Sequence, residues 1–449
     1  LTREFISDLK GAINENNDKN ALLLIEDFHA ADIAEIYDEL DIEETRYLFL
    51  LLDNELASDV LTELDEDDRE RFLEVLSPEV IAQKFIDHMA SDDAADIIGY
   101  MDEEKKQEIL LHLDDLEQAG DIVDLLAYKE DSAGGLMGKE LIEVNENWTI
   151  LTCLKELGRQ ADEVDEVYYL YVVSDDNVLL GIVSLKKMLL SNNSAKVKTI
   201  IEDDIISVNT DTSSEEVAQI MEKYDLVALP VVDSIGRLVG RITIDDIVDV
   251  IREEAEKDYQ MASGLIDEVE AGDKVFTITR ARLPWLLVGL AGGILGALVL
   301  GRFESNLKIY PEMAFFIPLI AAMGGNVGIQ SSAIIVQGLA NNTLRTDRTL
   351  RRLVKEFLVA LLNGLILAAL IFIYNYFTSD TFALTITVSI ALISVVVIAA
   401  LFGTIIPLIL NRYKIDPALA TGPFITTMND IIGLLIYMLI ARGFYAFFA

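Results

Sequence analysis

Beyond residue 280 the chain runs through five long apolar segments, and they constrain its fold more than any other feature. They lie at roughly Leu283–Leu300, Ala314–Leu339, Phe357–Phe377, Phe382–Leu410 and Pro417–Ala441, each long enough to span a bilayer. In hydrocarbon the backbone must satisfy its own hydrogen bonds, so five transmembrane helices are expected. The last segment breaks the apolar rule at its centre, where Asp430 stands among roughly two dozen otherwise uncharged residues. A carboxylate at that depth costs ~2.5–3.5 kcal/mol on insertion scales and more by simulation. The apolar cores of the other segments hold no Lys, Arg or His to pair with it. Its partner is then a proton, water in a cavity, or a cation from outside the chain. A protonated Asp bonded to a neighbouring helix is the bland alternative; a cation pathway is the preferred reading.

Charge divides the chain at the same place. Up to Thr279 there are 69 acidic and 23 basic residues; from Arg280 onward there are 7 and 12. An acidic soluble region followed by a membrane region is expected. The acidic excess excludes nucleic acid as a partner, because its phosphates would be repelled. It suits metal cations, although most of these carboxylates serve solubility. The single Cys153 rules out an internal disulfide and fits a reducing compartment. The first 20 residues are polar and charged, so no signal peptide is expected there.

Residues 1–130 read as an acidic α-helical domain with helical apolar spacing and one proline, Pro78. Three stretches share a pattern around Asp41, Asp65 and Asp102: a helix end, an Asp to cap the next helix, then acidic first-turn residues. Repeated helix pairs of this kind stack into a small superhelix. Asp59, Asp92, Asp93 and Asp96 lie in or beside the repeats, and Asp92 and Asp96 share a helical face. Like charges so placed repel unless something bridges them.

The next region contains a duplication. Leu170-Tyr-Val-Val-Ser-Asp-Asp-Asn-Val-Leu-Leu-Gly181-Ile-Val-Ser184 matches Leu229-Pro-Val-Val-Asp-Ser-Ile-Gly-Arg-Leu-Val-Gly240-Arg-Ile-Thr243 at an offset of 59 residues. Each copy reads as strand, turn, strand, hydroxyl residue and helix. This resembles a tandem pair of α/β cystathionine-β-synthase (CBS) domains, here 131–198 and 199–254, which form a two-fold unit able to hold an adenosine nucleotide. The matching motif is a strand ending in Ser or Thr with Asp three residues on. The second copy has Thr243 and Asp246; the first has Ser184 but Lys187, a departure that counts against a nucleotide there.

Residues 245–279 read as an acidic connecting helix, running to about Ile266, and a linker. Asp246, Asp249, Glu253 and Glu256 form one stripe on it, with Ile247, Val250 and Ile251 on another face. Such a stripe is either a solvated face or a helix that moves when its charges are neutralised. Asp225 and Glu216 are weaker members of the same acidic pool. Arg280 and Arg282 precede span one, and Arg345, Arg348, Arg351, Arg352 and Lys355 crowd the connection between spans two and three. Arg412 and Lys414 lie between four and five. By the positive-inside rule the N-terminal half is cytoplasmic and the C-terminus outside. Span two carries Gly324-Gly325-Asn326-Val-Gly328-Ile-Gln330-Ser331-Ser332. Its glycines suit close helix packing, and its amides and hydroxyls, with Asp430, suit a polar lining. Pro407, Pro417 and Pro423 are expected to interrupt spans four and five and free carbonyls for that lining.

The order of parts resembles the MgtE family of magnesium channels over essentially the whole chain. The parts are a superhelical α-helical N-terminal domain, tandem CBS domains, a connecting helix and a five-helix transmembrane domain (280–449). The most specific pieces are Gly-Gly-Asn326…Gln330-Ser331 and Asp416-Pro-Ala-Leu…Pro423…Thr427-Met-Asn-Asp430…Gly433-Leu-Leu-Ile, with Asp131-Ser-Ala-Gly-Gly-Leu-Met137 as the entry to the first CBS domain. The resemblance implies a homodimeric Mg²⁺ channel in a bacterial inner membrane, its pore between the subunits. Asp430 would be the pore carboxylate, with Asn326, Gln330 and Thr427 beside it. It also implies closure by Mg²⁺ at Asp59, Asp92 and Asp96 in the first domain, at Asp225, Asp246, Asp249 and Glu254, and at Asp416. Where some members carry another carboxylate late in the connecting helix, this chain has Lys257. ATP at the CBS pair is a further implication, through Ser184, Thr243 and Asp246. A proton-coupled divalent-cation transporter and a membrane-tethered nucleotide sensor are the rival readings. Enzymatic activity is not expected: His29, His88 and His112 all lie in the helical domain, and no nucleophile–base pair or phosphate-binding Gly loop occurs.

Overall fold

The computed structural model describes residues 2–160, 167–267, 269, 272–340, 349–379, 381–420 and 422–448. Arg345 and Arg348 lie outside them. The chain forms two compact units, residues 1–252 and 253–449.

The first unit begins with ten described α-helices. They are α1 Arg3–Asn14, α2 Asp18–Ile25, α3 Ala30–Ala34, α4 Ile42–Leu51, α5 Asn54–Thr62, α6 Glu66–Glu74, α7 Pro78–Lys84, α8 Ser91–Gly99, α9 Glu103–His112 and α10 Leu116–Leu125. Aspartates start several of them. Asp41 accepts from the backbone N–H groups of Glu43 and Glu44 while Glu44 accepts from Asp41, a full capping box. Asp102 accepts from Lys105 at 2.9 Å. Asp65 differs: it occupies the N-cap of α6 without a side-chain bond to it. Pro78 fills the first position of α7, where its missing N–H costs nothing.

The duplication folds as two three-stranded sheets of the same topology. In the first, β1 Ile142–Asn145 crosses through α11 Ile150–Gln160 to pair in parallel with β2 Leu170–Val173, which turns back antiparallel into β3 Leu179–Val183, followed by α12 Leu185–Leu189. In the second, β4 Val208–Asn209, α13 Ser214–Tyr224, β5 Ala228–Val232 and β6 Leu238–Thr243 repeat the path and lead into α14 Ile244–Ser263. Even the irregularity repeats, with a register shift at Val172/Val173 and again at Val231/Val232. The copies exchange equivalent bonds: Leu179 N–H donates to Gly236 O (3.0 Å) and Leu238 N–H to Asn177 O (3.1 Å). A local two-fold relation between the hairpins follows. The helical domain shares one continuous apolar core with the second copy, through Val217, Met221, Leu229, Ile242 and Ile247. The first copy keeps a core of its own, around Ile142, Ile150, Cys153 and Val172.

Among the described residues of the second unit, five helices are long and apolar enough to cross a membrane: Val275–Arg302, Pro311–Ala340, Leu350–Thr378, Phe382–Arg412 and Pro423–Tyr445. Their α-helical parts are α15 Val275–Arg302, α17 Ile317–Ala340, α18 Thr349–Thr378, α19 Phe382–Arg412 and α20 Pro423–Phe448, with a short α16 Glu304–Ile309 between the first two spans. The fourth span is the hub, since α19 packs against α17, α18 and α20, while α15 packs on α20. Three expectations need correction. Pro407 lies buried inside an unbroken α19. Pro417 belongs to a 3₁₀ turn, and the fifth span starts only at Pro423, its first helical residue. Helix α14 stops at Ser263 rather than Ile266, where Gly264 turns to φ +90°.

Candidate functional site

The carboxylate of Asp430 rests on a bed made by glycines. A methyl group on Gly325 of α17 would stand 3.2 Å from Thr426 Cγ2 and 3.9 Å from Asp430 Oδ1. At Gly328 it would fall 2.0 Å from Asn429 Nδ2, and at Gly324 3.1 Å from Val395 of α19. The glycine run is therefore what lets α17 approach α20 so closely. Asn429, which the sequence reading passed over, is buried and donates from Nδ2 to Gly324 O at 3.3 Å. Asp430 itself is half-buried, and among the described residues no cation pairs with it.

The other expected pore residues separate into two groups. Asn326 and Gln330, one helical turn apart, lie on an exposed face of α17 together with Gln337. Thr427 faces α15 instead: a methyl on Gly292 would stand 1.9 Å from its Cγ2. Behind this face, buried Ser331 donates from Oγ to Glu356 Oε1 of α18 at 2.6 Å. Glu356 lay just outside the expected third span, so its place two turns inside α18 was not foreseen.

The end of α14 meets the start of α20 closely, Gly264 against the Pro423 ring and Gly422 against the backbone of Ala262. A methyl on Gly264 would stand 2.6 Å from Pro423 Cγ, and one on Gly422 would stand 2.5 Å from Ala262 O. Both glycines have positive φ, +90° and +55°, which other residues adopt only at a cost. Asp416, just ahead, is exposed and accepts from Ala418 N–H at 2.7 Å.

In the first unit, folding gathers some of the expected regulatory acids and scatters others. Asp92 and Asp246 come together, joined by Asp93 and Glu140, neither of which was an expected ligand. The Cα of Gly138 faces both Asp92 and Glu140: a methyl there would be 2.9 Å from Asp92 Oδ2 and 3.0 Å from Glu140 Oε2. Burial raises Asp92 well above the usual carboxylate range, with Asp246, Asp93 and Glu140 adding to it. Asp93 is raised to about 6, by burial and then by Asp246. Asp96, whose side chain reaches water, is raised too, by the protein crowded round it and by Asp93 and Glu130. Asp246 is also raised by burial, opposed by two bonds from Thr243. Arg69, the nearby cation, donates to Thr62 O (2.8 Å) and Leu64 O (2.9 Å).

The remaining acids lie apart in kind. Asp59 is on the exposed side of α5, and Asp249 on that of α14. Asp225 ends α13 with φ +52°, a cap conformation that Asp tolerates. Glu254 pairs with Lys257 at 3.6 Å. Among the described residues no three His, Cys, Asp or Glu side chains converge closely enough to hold a metal by themselves.

At the second CBS copy Asp246 Oδ2 accepts from Thr243 N–H (3.0 Å) and Oγ1 (2.8 Å), so the hydroxyl–acid motif is internally bonded. In the first copy Ser184 caps α12 and Lys187 Nζ pairs with Glu202 Oε1 at 3.3 Å. A salt bridge stands where the second copy has its acid.

Comparison with known proteins covers all of these parts. The MgtE divalent cation transporter family matches residues 317–440, the MgtE intracellular N domain matches 28–131, and the CBS domain matches 133–191 and 197–253. The magnesium transporter MgtE of Thermus thermophilus is 33% identical over 442 residues, covering 97% of each chain. Its namesake in Bacillus subtilis is 32% identical over 424 residues, covering 94% of this chain and 93% of its own. Among solved structures, the cytosolic domain of the Mg²⁺ channel MgtE in complex with ATP is 33% identical with a TM-score of 0.51, covering 55% of this chain and 99% of that one. The soluble part of a magnesium transporter matches at 30% identity and the same score, covering 56% and 98%.

Proposed function

The chain belongs to the MgtE family of divalent cation transporters, and from that premise we propose that it is a homodimeric Mg²⁺ channel closed by cytosolic Mg²⁺. The observation that carries this reading is Asp430, a half-buried carboxylate without a cationic partner among the described residues, about two turns inside a candidate membrane span and facing Gly325 of α17. Mg²⁺ dehydrates reluctantly and keeps several waters, so one or two carboxylates make a suitable site. Asp430 from each of two subunits supplies two. Selection then rests on the size of the hydrated ion and on hydrogen bonds to its waters, for which Asn326 and Gln330 provide amides.

The exposed polar face of α17 supports the dimer. Amides facing lipid carry several kcal/mol of unmet hydrogen bonding each, on the order of 2–7 kcal/mol by transfer scales. A second copy laid on this face would turn them toward a shared, wet pathway. The basic flanks favour a cytoplasmic N-terminal half and an outward C-terminus in a bacterial cell membrane.

For gating, the acids gathered round Asp92 and Asp246 repel one another when cytosolic Mg²⁺ is low. Mg²⁺ bound there, and at Asp59, Asp96, Asp225, Asp249, Glu254 and Asp416, stabilises the compact arrangement and holds α14 in place. The ligand shifts a two-state equilibrium because it binds one state better. The Gly264–Pro423 contact gives α14 a direct route to the start of the helix that carries Asp430. ATP, bound by the solved cytosolic domain that this chain resembles, would enter through Thr243 and Asp246 of the second copy. The Lys187–Glu202 pair argues against Ser184.

The deciding experiment is Mg²⁺ influx into proteoliposomes with a trapped indicator, for the intact protein and Asp430→Ala. Flux lost in a variant that stays folded and oligomeric supports the pore. Equal flux in both makes the carboxylate structural. Uptake that needs a proton gradient and saturates at low turnover turns the reading to a proton-coupled transporter.

A further inference from the structure

Helix α8 carries Asp92, Asp93 and Asp96, and the one first-turn N–H that its own side chains satisfy is that of Asp93, which donates to Asp92 Oδ1 at 3.1 Å. Its N-cap position is Ala90, which offers no side-chain acceptor to the first turn. The acceptor arrives from 49 residues away: Ser91 N–H donates to Glu140 Oε1 at 2.8 Å, and Ser91 Oγ donates to Oε2 at 3.1 Å. Lys139 N–H completes the knot by donating to Ser91 Oγ at 3.0 Å. Ser91 is fully buried. A carboxylate at a helix N-terminus is stabilised by the exposed N–H groups and the dipole, and Glu140 takes that place beside Asp92.

The segment that carries Glu140 is fastened on its other side to the second CBS copy. Gly138 exchanges both backbone hydrogen bonds with Arg241 of β6, at 2.8 and 3.0 Å. Two residues beyond Arg241 lies Thr243, which bonds Asp246. Lys139 Nζ also reaches Asp124 Oδ2 of α10 at 2.6 Å. A continuous run of hydrogen bonds thus joins the start of α8, through residues 138–140, to the start of α14.

We propose that Glu140 is the positioning residue for Mg²⁺-dependent closure. By capping α8 from the segment bonded to β6, it fixes the α8 acids in register with Asp246, so that a cation there acts on the helical domain and on α14 together. This rests on the closure reading above. Glu140 acts through α8: Ser91 engages one lone pair on each of its oxygens, and comparing Glu140→Ala with Glu140→Gln separates this positioning from ligation.

The test uses the full-length protein in detergent, with two measurements on Glu140→Ala, Glu140→Gln and Ser91→Ala/Glu140→Ala. The first is amide exchange over residues 91–95 without Mg²⁺. It should speed up by roughly fivefold or more in Glu140→Ala, the loss of about one hydrogen bond, and stay near wild type in Glu140→Gln, which keeps an acceptor for Ser91 N–H. The second is the Mg²⁺ midpoint for protease protection of residues 1–263. It should rise by roughly threefold in Glu140→Ala and by less than about twofold in Glu140→Gln, and Ser91→Ala should add nothing to Glu140→Ala. Unchanged exchange in Glu140→Ala overturns the proposal. So does a midpoint displaced as far by Gln as by Ala with normal exchange, since the charge would then be ligating. A wild-type midpoint that ignores Mg²⁺ defeats the closure reading alone, and the exchange data still decide whether Glu140 caps α8.

Discussion

Two residues with acidic side chains face opposite problems in this molecule. Asp430 has too few companions and Asp92 has too many. The crowded group makes a pH prediction. Asp93 is raised to about 6 from an ordinary 3.8, and Asp96 is raised in the same direction. A raised acid means the folded chain binds protons that the unfolded chain has released, so stability falls as pH rises from about 4 through about 6 and then levels. Without Mg²⁺, the melting temperature of the first unit should therefore be higher near pH 5.5 than near pH 8. The difference should shrink in Asp93→Asn/Asp96→Asn. An equal difference in that variant would place the effect elsewhere. At this scale the sequence was legible only where chemistry contrasts with its surroundings. Asp430 stands out because it interrupts an apolar run. Asn429, Glu356 and Glu140 do not, since their roles come from Gly324, Ser331 and Ser91, which are 105, 25 and 49 residues away.

At the level of elements, local signals set most helix starts, and they can be ranked. Asp102 caps α9 by a bond to Lys105 N–H, whereas Asp65 makes none to α6. Asp102→Ala should cost about 1 kcal/mol of the helical domain's stability in urea unfolding, and Asp65→Ala only a few tenths. Equal losses would mean the helix dipole, not the cap, sets these starts. The glycines of α17 make a stronger case. Gly328→Ala must displace Asn429 Nδ2 from 2.0 Å, so about 1–3 kcal/mol of overpacking and a lower detergent melting temperature are expected. Gly289→Ala, with nothing within 4 Å, should be neutral on the same measure. The five spans, the duplicated sheets and their turns could all be read from period and spacing. The end of α14 and the start of α20 could not, because both are fixed by glycine conformations that depend on the opposing backbone.

For the whole molecule, charge asymmetry gave the division into an acidic part and an apolar part, and that division is visible without any structure. What a single chain cannot explain is the polar face of α17. If a second copy covers it, cysteines placed at Asn326 or Gln330 should cross-link between subunits in the membrane. Background should be low, since Cys153 is buried and its thiol raised to about 11. Monomers throughout, with intact flux, would remove the shared pathway. The same requirement for closeness shapes the junction of α14 and α20. Most contacts between helices run through side chains, whose rotamers give a little under load, and that compliance blurs any displacement. Gly264 and Gly422 leave little such cushion: Gly264 meets the rigid ring of Pro423, and Gly422 meets the backbone of Ala262. A shift at one end of the junction arrives at the other undiminished, and the first methyl group added at either position would make the linkage soft.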